Sequence, residues 1–399
     1  MIKTLSHIKI RWQSAILGSC FILFALALVC YKLGSLTGGL SPAELAARVQ
    51  YSSFGAILSN PPNAPYKLLA WMLSFVPYNS PAMIRLPSAL FGLSTLVPLA
   101  YIMRRWYGPR VMLLGLILFA SSAWFLHVSR IALFDVEFLW ATTTLVALHL
   151  LLHARAEKLL VFLSWLLGML VLLFVPGMIW FVLLNIILQY NDILDAWDET
   201  KGVWLKIFVI LVPLLTLAAI GYAMYRNTNL ITTWLGLPPR PEQWLDMLKR
   251  FGNAFAYFVV RGPHNPVLWL GRLPILDAFM TAMLAAGILV YAKRIKASHT
   301  RLLALFFLLG AILTALSLNI SFSVIVPLVY IIATAGIAYL MHEWLHVFPR
   351  NPLARSLGIG LVGLLIVASS VYNVRSYFVA WPHNTETQAT FTEPLPPKN

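Results

Sequence analysis

The chain has 399 residues, of which 60% are hydrophobic and 11% charged, and its mean hydropathy is +0.80. Soluble domains run at about 45–50% apolar and about 25% charged, which excludes a soluble globular enzyme and a disordered chain. The net charge of +15 comes from basic residues scattered between apolar runs. That excludes a nucleic-acid-binding domain and matches the Lys and Arg excess found at the cytoplasmic ends of membrane helices.

The expected fold class is all-α and polytopic, with about eleven transmembrane helices of ~20 residues in one domain over residues 1–380. Met1–Trp12 carries Lys3, Lys9 and Arg11, and an apolar run follows from Ala15 to Tyr31. The run is longer than a signal-peptide core and no A-x-A pattern follows it, so it reads as a retained first span with the N-terminus inside. Cys20 and Cys30 lie about 15 Å apart along such a helix, beyond disulfide reach, and read as apolar filler.

Residues 34–82 form a first outside loop too long to be a mere connector. Two amphipathic stretches in it, Ala43–Leu58 and Tyr66–Val76, are expected to lie along the membrane surface as short helices. Ser41-Pro42-Ala43-Glu44 is a capping box, with Ser41 as N-cap, Pro42 at N1 and Glu44 at N3. Arg48 lies four residues on, within pairing reach. The same carboxylate, rigidly mounted just outside the membrane, is a candidate general base.

Spans at 83–103 and 111–129 follow, joined by a short loop bearing Arg104, Arg105 and Arg110. The turn from Arg130 to Glu137 then leads into a span at 138–153. If the turn is helical, Asp135 and Glu137 point about 200° apart. If it is extended, they share a face and could hold a divalent cation, Mg or Mn. A third reading pairs Arg130 with Asp135 to tie the turn together.

Spans at 159–174 and 177–190 make a hairpin around Pro176-Gly177; one long bent helix would instead change the side of every later loop. Asp192, Asp195, Asp198 and Glu199 read as a solvated inside cluster. Glu157 and Glu343 abut the inside surface. After a span at 205–225 comes a second long outside loop, 226–273, holding Glu242 and Asp246 and rich in Trp, Pro and Arg. Its Trp234, Trp244 and Trp269 suit an interfacial belt.

Spans at 274–292, 302–318, 322–341 and 356–373 complete the domain. Asp277 reads as a helix-start carboxylate favoured by the dipole. The loop Lys293–Arg301 is basic like 104–110, which sets the orientation as N-in, C-out. The tail 381–399, with Glu386 and Glu393, is polar, outside and expected to be disordered. Lys67, Arg85, Arg130, Arg261 and Arg272 fall on the outer side. Each alone could snorkel to headgroups; together, facing two acidic sites, they point to an anionic ligand such as a phosphate. No internal repeat, Gly-rich phosphate loop, His/Cys metal spacing or G-x-S-x-G occurs.

The order of these segments resembles the GT-C membrane glycosyltransferases, in particular the bacterial relatives of dolichyl-phosphate-mannose protein mannosyltransferase and of the aminoarabinose transferase that modifies lipid A. The resemblance runs through most of residues 10–380 and is densest from Leu40 to Glu137. It rests on Leu40-Ser41-Pro42-Ala43-Glu44, on Asn60-Pro61-Pro62 with Tyr66, on Arg85-Leu86-Pro87-Ser88, and on the Arg130 to Asp135 turn. Asn265-Pro266 and Val326-Pro327-Leu328 leading to Ala335-Gly336-Ile337 fit as well. Three features depart from the pattern. Glu44 stands without the usual Asp beside it, Asn60 replaces a frequent basic residue, and no folded outside domain follows the last span.

The resemblance implies an enzyme of the bacterial plasma membrane. It would move a hexose or pentose from a polyprenyl-phosphate carrier to a protein, lipid or glycan acceptor on the outer face. Glu44 is then the candidate base, and Asp135, with Glu137, orients a substrate or holds a metal. Arg85, Arg130 and Lys67, with Arg261 and Arg272, are candidate phosphate partners, and Asn60 and Tyr66 line the substrate. The competing reading is a transporter or lipid-linked sugar flippase, which would need paired halves or helices broken at midplane.

Overall fold

Several helices in this chain start where a side chain satisfies the first free N–H groups. Ser41, Ser80, Ser122, Asp277 and Asn351 each cap one, as the requirement for partners at helix ends demands. The computed structural model describes residues 2–76, 80–155, 159–238, 243–317 and 319–395. Glu157, Lys158 and Glu242 lie outside the described residues.

In chain order the helices are α1 (Ile2–Cys30), α2 (Pro42–Val49), α3 (Phe54–Ser59), α4 (Ala64–Ser74), α5 (Pro81–Tyr107), α6 (Pro109–Ser121) and α7 (Ala123–Arg130). Then come α8 (Asp135–Arg155), α9 (Leu159–Leu172), α10 (Met178–Leu188), α11 (Tyr190–Glu199), α12 (Val203–Arg226), α13 (Asn229–Leu235) and α14 (Trp244–Val259). The last are α15 (Ala278–Lys293), α16 (Ser298–Leu316), α17 (Val326–Val347), α18 (Pro352–Arg375) and α19 (Thr385–Thr390). A π-turn at Ser376–Ala380 prolongs α18. Among the described residues the extended backbone amounts to one isolated bridge, Leu40 to Glu393.

Among the described residues, six helices are long and apolar enough to cross a membrane: α5, α8, α12, α16, α17 with the short turn before it, and α18 with its π-turn. Two pairs, α6–α7 and α10–α11, qualify together but bend by 59° and 72°, which brings the number to eight. The apolar part of α1 (Ile16–Cys30), α9 and α15 are shorter. Each anticipated span is therefore a helix, but eleven crossings are not established. Ser122 ends α6 and caps α7, so the expected span 111–129 is two helices, and Gln189 ends α10 before the acidic α11.

The break at Pro176-Gly177 is a true hairpin. Gly177 has φ 72°, a left-handed conformation that costs glycine nothing, and α10 returns along α8 and α9. A polar network locks that return. His149 Nδ1 meets Asn185 Oδ1 at 2.7 Å, Gln189 donates to the His149 carbonyl, and Trp165 and Asn185 both donate to Gln189 Oε1. The tightest crossing is α15 on α17. A Cβ on Gly287 would lie 1.9 Å from the Ile332 carbonyl oxygen, and one on Gly336 would lie 2.0 Å from that of Met283. Small residues allow such backbone approach in membranes.

The two ends of the bundle differ. Trp106 packs against His299, and the Tyr107 and Tyr291 hydroxyls bond to each other. The basic loops 104–110 and 293–301 therefore share one end. Both long loops and the tail gather at the other, through Asn63 N–H to the Phe174 carbonyl, Gly177 N–H to that of Trp234, and Trp381 Nε1 to that of Pro266.

Two expectations are corrected there. Residues 381–395 are folded, with Trp381 and Phe391 1% and 4% exposed, because these aromatics find an apolar seat against Tyr377 and each other. Trp269 is buried against Trp124 and His127 and is no interfacial anchor, whereas Trp244 is exposed. The stretch 43–58 also divides into α2 and α3, since Ser53 caps a new helix.

Candidate active site

Glu44 forms its capping box with Ser41 as the sequence requires, and the fold then uses up the rest of the carboxylate. Arg85 donates from Nε to Oε1 at 2.7 Å and from Nη2 to Oε2 at 3.0 Å. The Ala132 N–H reaches Oε1 at 3.1 Å, and the Ser41 N–H reaches Oε2 at 2.9 Å. Arg85 also donates to the Leu33 and Gly39 carbonyls, under the ring of Phe391. Both residues are buried. A carboxylate with both oxygens engaged and no solvent access cannot take a proton from an acceptor. Glu44 is thus a positioning anchor that ties α2, α5 and the turn at 132, and Arg85 is its counter-ion instead of a free phosphate partner. The expected Arg48 partner is displaced by Arg85, which offers a bidentate fork.

Arg130 makes no pair with Asp135. Its guanidinium donates to the Leu28 and Tyr31 carbonyls at the end of α1 and lies over the rings of Tyr377 and Phe378. It caps a helix C-terminus, where carbonyls lack partners and cations are favoured. Glu137 plays the reciprocal part for α4. Asn63 provides no side-chain cap there, and Glu137 Oε1 accepts from the Tyr66 N–H at 3.2 Å.

Tyr66 is buried, not substrate-lining. Its hydroxyl meets Ser88 Oγ at 2.7 Å, Ser88 donates to the Ile131 carbonyl, and its ring packs on Phe91 and Phe134. Burial holds the Tyr66 hydroxyl well above the usual tyrosine range and pushes Tyr51 up to about 12. The Arg-x-Pro-Ser segment is therefore a structural knot.

Two neighbouring cavities lie at the end of the bundle opposite the basic loops. The larger, about 500 Å³, is walled by Ala47, Gln50, Asn60, Asn63, Lys67, Asn319 and others. The smaller, about 240 Å³, is walled by Trp124, Arg250, Tyr257, Asn265 and Phe322 among others. Asp135 and Ser321 line both. Asp135 opens α8 and is half-buried. Ser321 donates to its Oδ1 at 2.5 Å, which orients the carboxylate in the wall shared by the two cavities.

Lys67 lies in the wall of the larger cavity, its ammonium donating to the Asn60 carbonyl at 2.8 Å. Burial lowers its pKa to about 8, against the opposing pull of Glu137. Asp135 and Glu137 diverge because the turn is helical at 135, so they form no two-carboxylate cradle for Mg or Mn. Among the described residues no group of three or more His, Cys, Asp or Glu gathers.

Of the other candidates, Asn60 lines the larger cavity, whereas Arg261 and Arg272 are exposed and line neither cavity. Asp277 caps α15 through the Met280 N–H and accepts from Ser369 and Asn373, the helix-start role expected of it. Gln50, Asn63, Arg250, Asn319 and Ser321 escaped the reading of the sequence. The run Ser317-Leu318-Asn319-Ile320-Ser321-Phe322-Ser323, polar at alternate positions between two apolar spans, was the signal for Asn319 and Ser321.

No protein-family model and no curated protein matches the chain by sequence. Solved structures share its fold, among them two of one enzyme. One is ArnT from Cupriavidus metallidurans in the apo state, 14% identical, with a TM-score of 0.51, covering 94% of this chain and 76% of that chain. The other is ArnT from the same organism bound to undecaprenyl phosphate, also 14% identical, with a TM-score of 0.52 and the same coverage. The chain thus has the fold of ArnT, a GT-C enzyme, which is the architecture the order of its segments resembles.

Proposed function

We propose that this chain is a membrane glycosyltransferase that moves a sugar from a polyprenyl-phosphate carrier to an acceptor hydroxyl. The observation that carries this reading is Asp135, a half-buried carboxylate lining two cavities, one of which has the buried Lys67 in its wall. A neighbour of the same fold binds undecaprenyl phosphate, which supports a lipid-phosphate donor.

In this reading the donor phosphate and sugar occupy the larger cavity. Lys67 is buried in the wall with its ammonium on the Asn60 carbonyl and sets a positive charge behind the phosphate. Asp135 accepts the proton of the acceptor hydroxyl as its oxygen attacks the anomeric carbon. The C1–O bond breaks toward the phosphate, whose added charge Lys67 stabilises. The products are the glycosidic ether, the lipid phosphate and a proton passed from Asp135 to water. A single displacement inverts the anomeric carbon. No step is routed through a metal. The basic loops at the far end support an inside location for that end; in this reading the cavities open on the outer face of a bacterial plasma membrane, N-in and C-out. The donor is lipid-borne because nucleotide sugars stay inside.

The test is incubation of reconstituted protein with radiolabelled polyprenyl-phosphate glucose, mannose and arabinose. Cleavage of one donor is expected, and Asp135→Asn should lower it roughly 10²–10⁴-fold with unchanged melting. Movement of an intact labelled lipid across the bilayer without cleavage would show a flippase instead.

A further inference from the structure

We propose that the smaller cavity is a carbohydrate pocket, so that the acceptor hydroxyl belongs to a single sugar ring and not to a peptide side chain, an acyl lipid or a phosphate group. This rests on the reading of Asp135 as the base, and it follows from the chemistry of the cavity walls.

A sugar ring has an apolar C–H face and a rim of hydroxyls that act as both donors and acceptors. The wall provides both kinds of partner. Trp124 and Phe322 pack together with ring centroids 5.9 Å apart, and Tyr257 meets Phe322 at 5.5 Å, so three aromatic surfaces converge. The Trp124 N–H is occupied by Ser323 Oγ at 3.1 Å, and the indole packs on Trp269, which fixes it as the buried back of the wall. Arg250 and Asn265 add planar polar groups to the wall, suited to adjacent hydroxyls.

Size narrows the occupant. A volume of about 240 Å³ is that of roughly eight waters in the liquid, or one hexose-sized ring. It is about half the neighbouring cavity. An acyl chain would need walls without Arg250, Asn265 and Asp135.

Position supplies the chemistry. The two cavities share Asp135 and Ser321, so a ring seated here presents a hydroxyl to the carboxylate from the side opposite the donor phosphate. The balance is that of the transfer above, with the ring oxygen bonding to the anomeric carbon and its proton going to Asp135. The mount is α14, which holds Arg250 and Tyr257 while exposing Trp244, Leu245, Leu248 and Phe255. This apolar face seats the helix on the membrane surface. The ring can therefore be a glycolipid headgroup or the end of a free glycan.

The experiment uses the full chain in lipid nanodiscs. Saturation-transfer NMR measures binding of methyl glucoside, methyl galactoside and methyl mannoside, with a Ser/Thr peptide and inorganic phosphate as competitors. Binding of at least one glycoside is expected. It should weaken roughly tenfold in Tyr257→Ala, weaken in Arg250→Gln, and be indifferent to peptide and phosphate. Vesicles of glucosyl diacylglycerol run beside the methyl glycosides separate a lipid-borne from a free acceptor, and label on either supports the pocket.

Donor cleaved with dependence on Asp135, but no glycoside bound and label passed to peptide or phosphate, overturns the carbohydrate pocket and leaves the transferase standing. Glycoside bound in a manner sensitive to Tyr257, with no donor cleaved, supports the pocket and overturns the transferase reading. Binding equal in wild type and Tyr257→Ala places the sugar elsewhere and overturns the pocket. Should Tyr257→Ala misfold, Tyr257→Phe with Arg250→Gln takes its place.

Discussion

Two carboxylates with similar sequence surroundings end in opposite roles, and hydrogen-bond accounting separates them. Glu44 has partners for both oxygens, whereas Asp135 has one side-chain donor and lines two cavities. Glu44→Gln should leave the buried Arg85 without its counter-ion, at a cost of about 3–5 kcal/mol. Thermal unfolding in detergent should show a clear fall, and joint replacement of both residues by leucine should recover part of it. A Glu44→Gln protein that melts normally yet transfers nothing would return the base role to Glu44. Lys67 gives a pH signature. Its pKa is held down to about 8 against 10.5 for an ordinary lysine, so it is charged at neutral pH and neutral above about 8. The KM for the donor should rise as pH passes about 8, with kcat less affected, and Lys67→Arg should flatten that rise. A KM unchanged well above pH 8 would remove Lys67 from the phosphate.

Among the elements, the crossing of α15 and α17 is set by atoms that are absent. Gly287 and Gly336 let each helix lie against carbonyl oxygens of the other, and any side chain there separates them. Gly336→Leu should destabilise by at least about 1–3 kcal/mol, read as a lower melting temperature. The π-turn after α18 serves a different end: it brings Tyr377 and Phe378 over Arg130, which in turn caps α1. Helix ends in this protein are thus completed by side chains from other helices, Glu137 for α4 and Arg130 for α1. A one-residue window on the sequence cannot show such partners.

At the scale of the whole molecule, the tail closes the structure over the Glu44–Arg85 pair. Phe391 lies on the guanidinium, and Glu393 pairs with Leu40 through backbone bonds in both directions. Gly39 sits so close that a Cβ would lie 2.6 Å from the Phe391 carbonyl oxygen. Trp381→Ala should cost about 3–5 kcal/mol. A chain ending at Ala380 should melt lower and admit water to the ion pair, which hydrogen exchange at Ser41 and Ala132 would register. An unchanged melting temperature in the shortened chain would show that the tail is decoration.

Hydropathy and charge by themselves determined that the chain is a helical membrane protein, where its apolar helices lie, and that its two basic loops share an end. Those properties follow from local composition, since burying a helix in lipid depends on its own side chains. The capping box at Ser41 and the helix start at Asp277 were legible for the same reason: donor and acceptor sit three residues apart. What each charged residue does was decided only by tertiary structure. Arg85 reaches Glu44 across 41 positions of chain, Glu137 reaches Tyr66 across 71, and Ser321 reaches Asp135 across 186. A buried charge takes whichever partner the packing brings to it, and which carboxylate stays free follows from who arrives first in space, not in sequence.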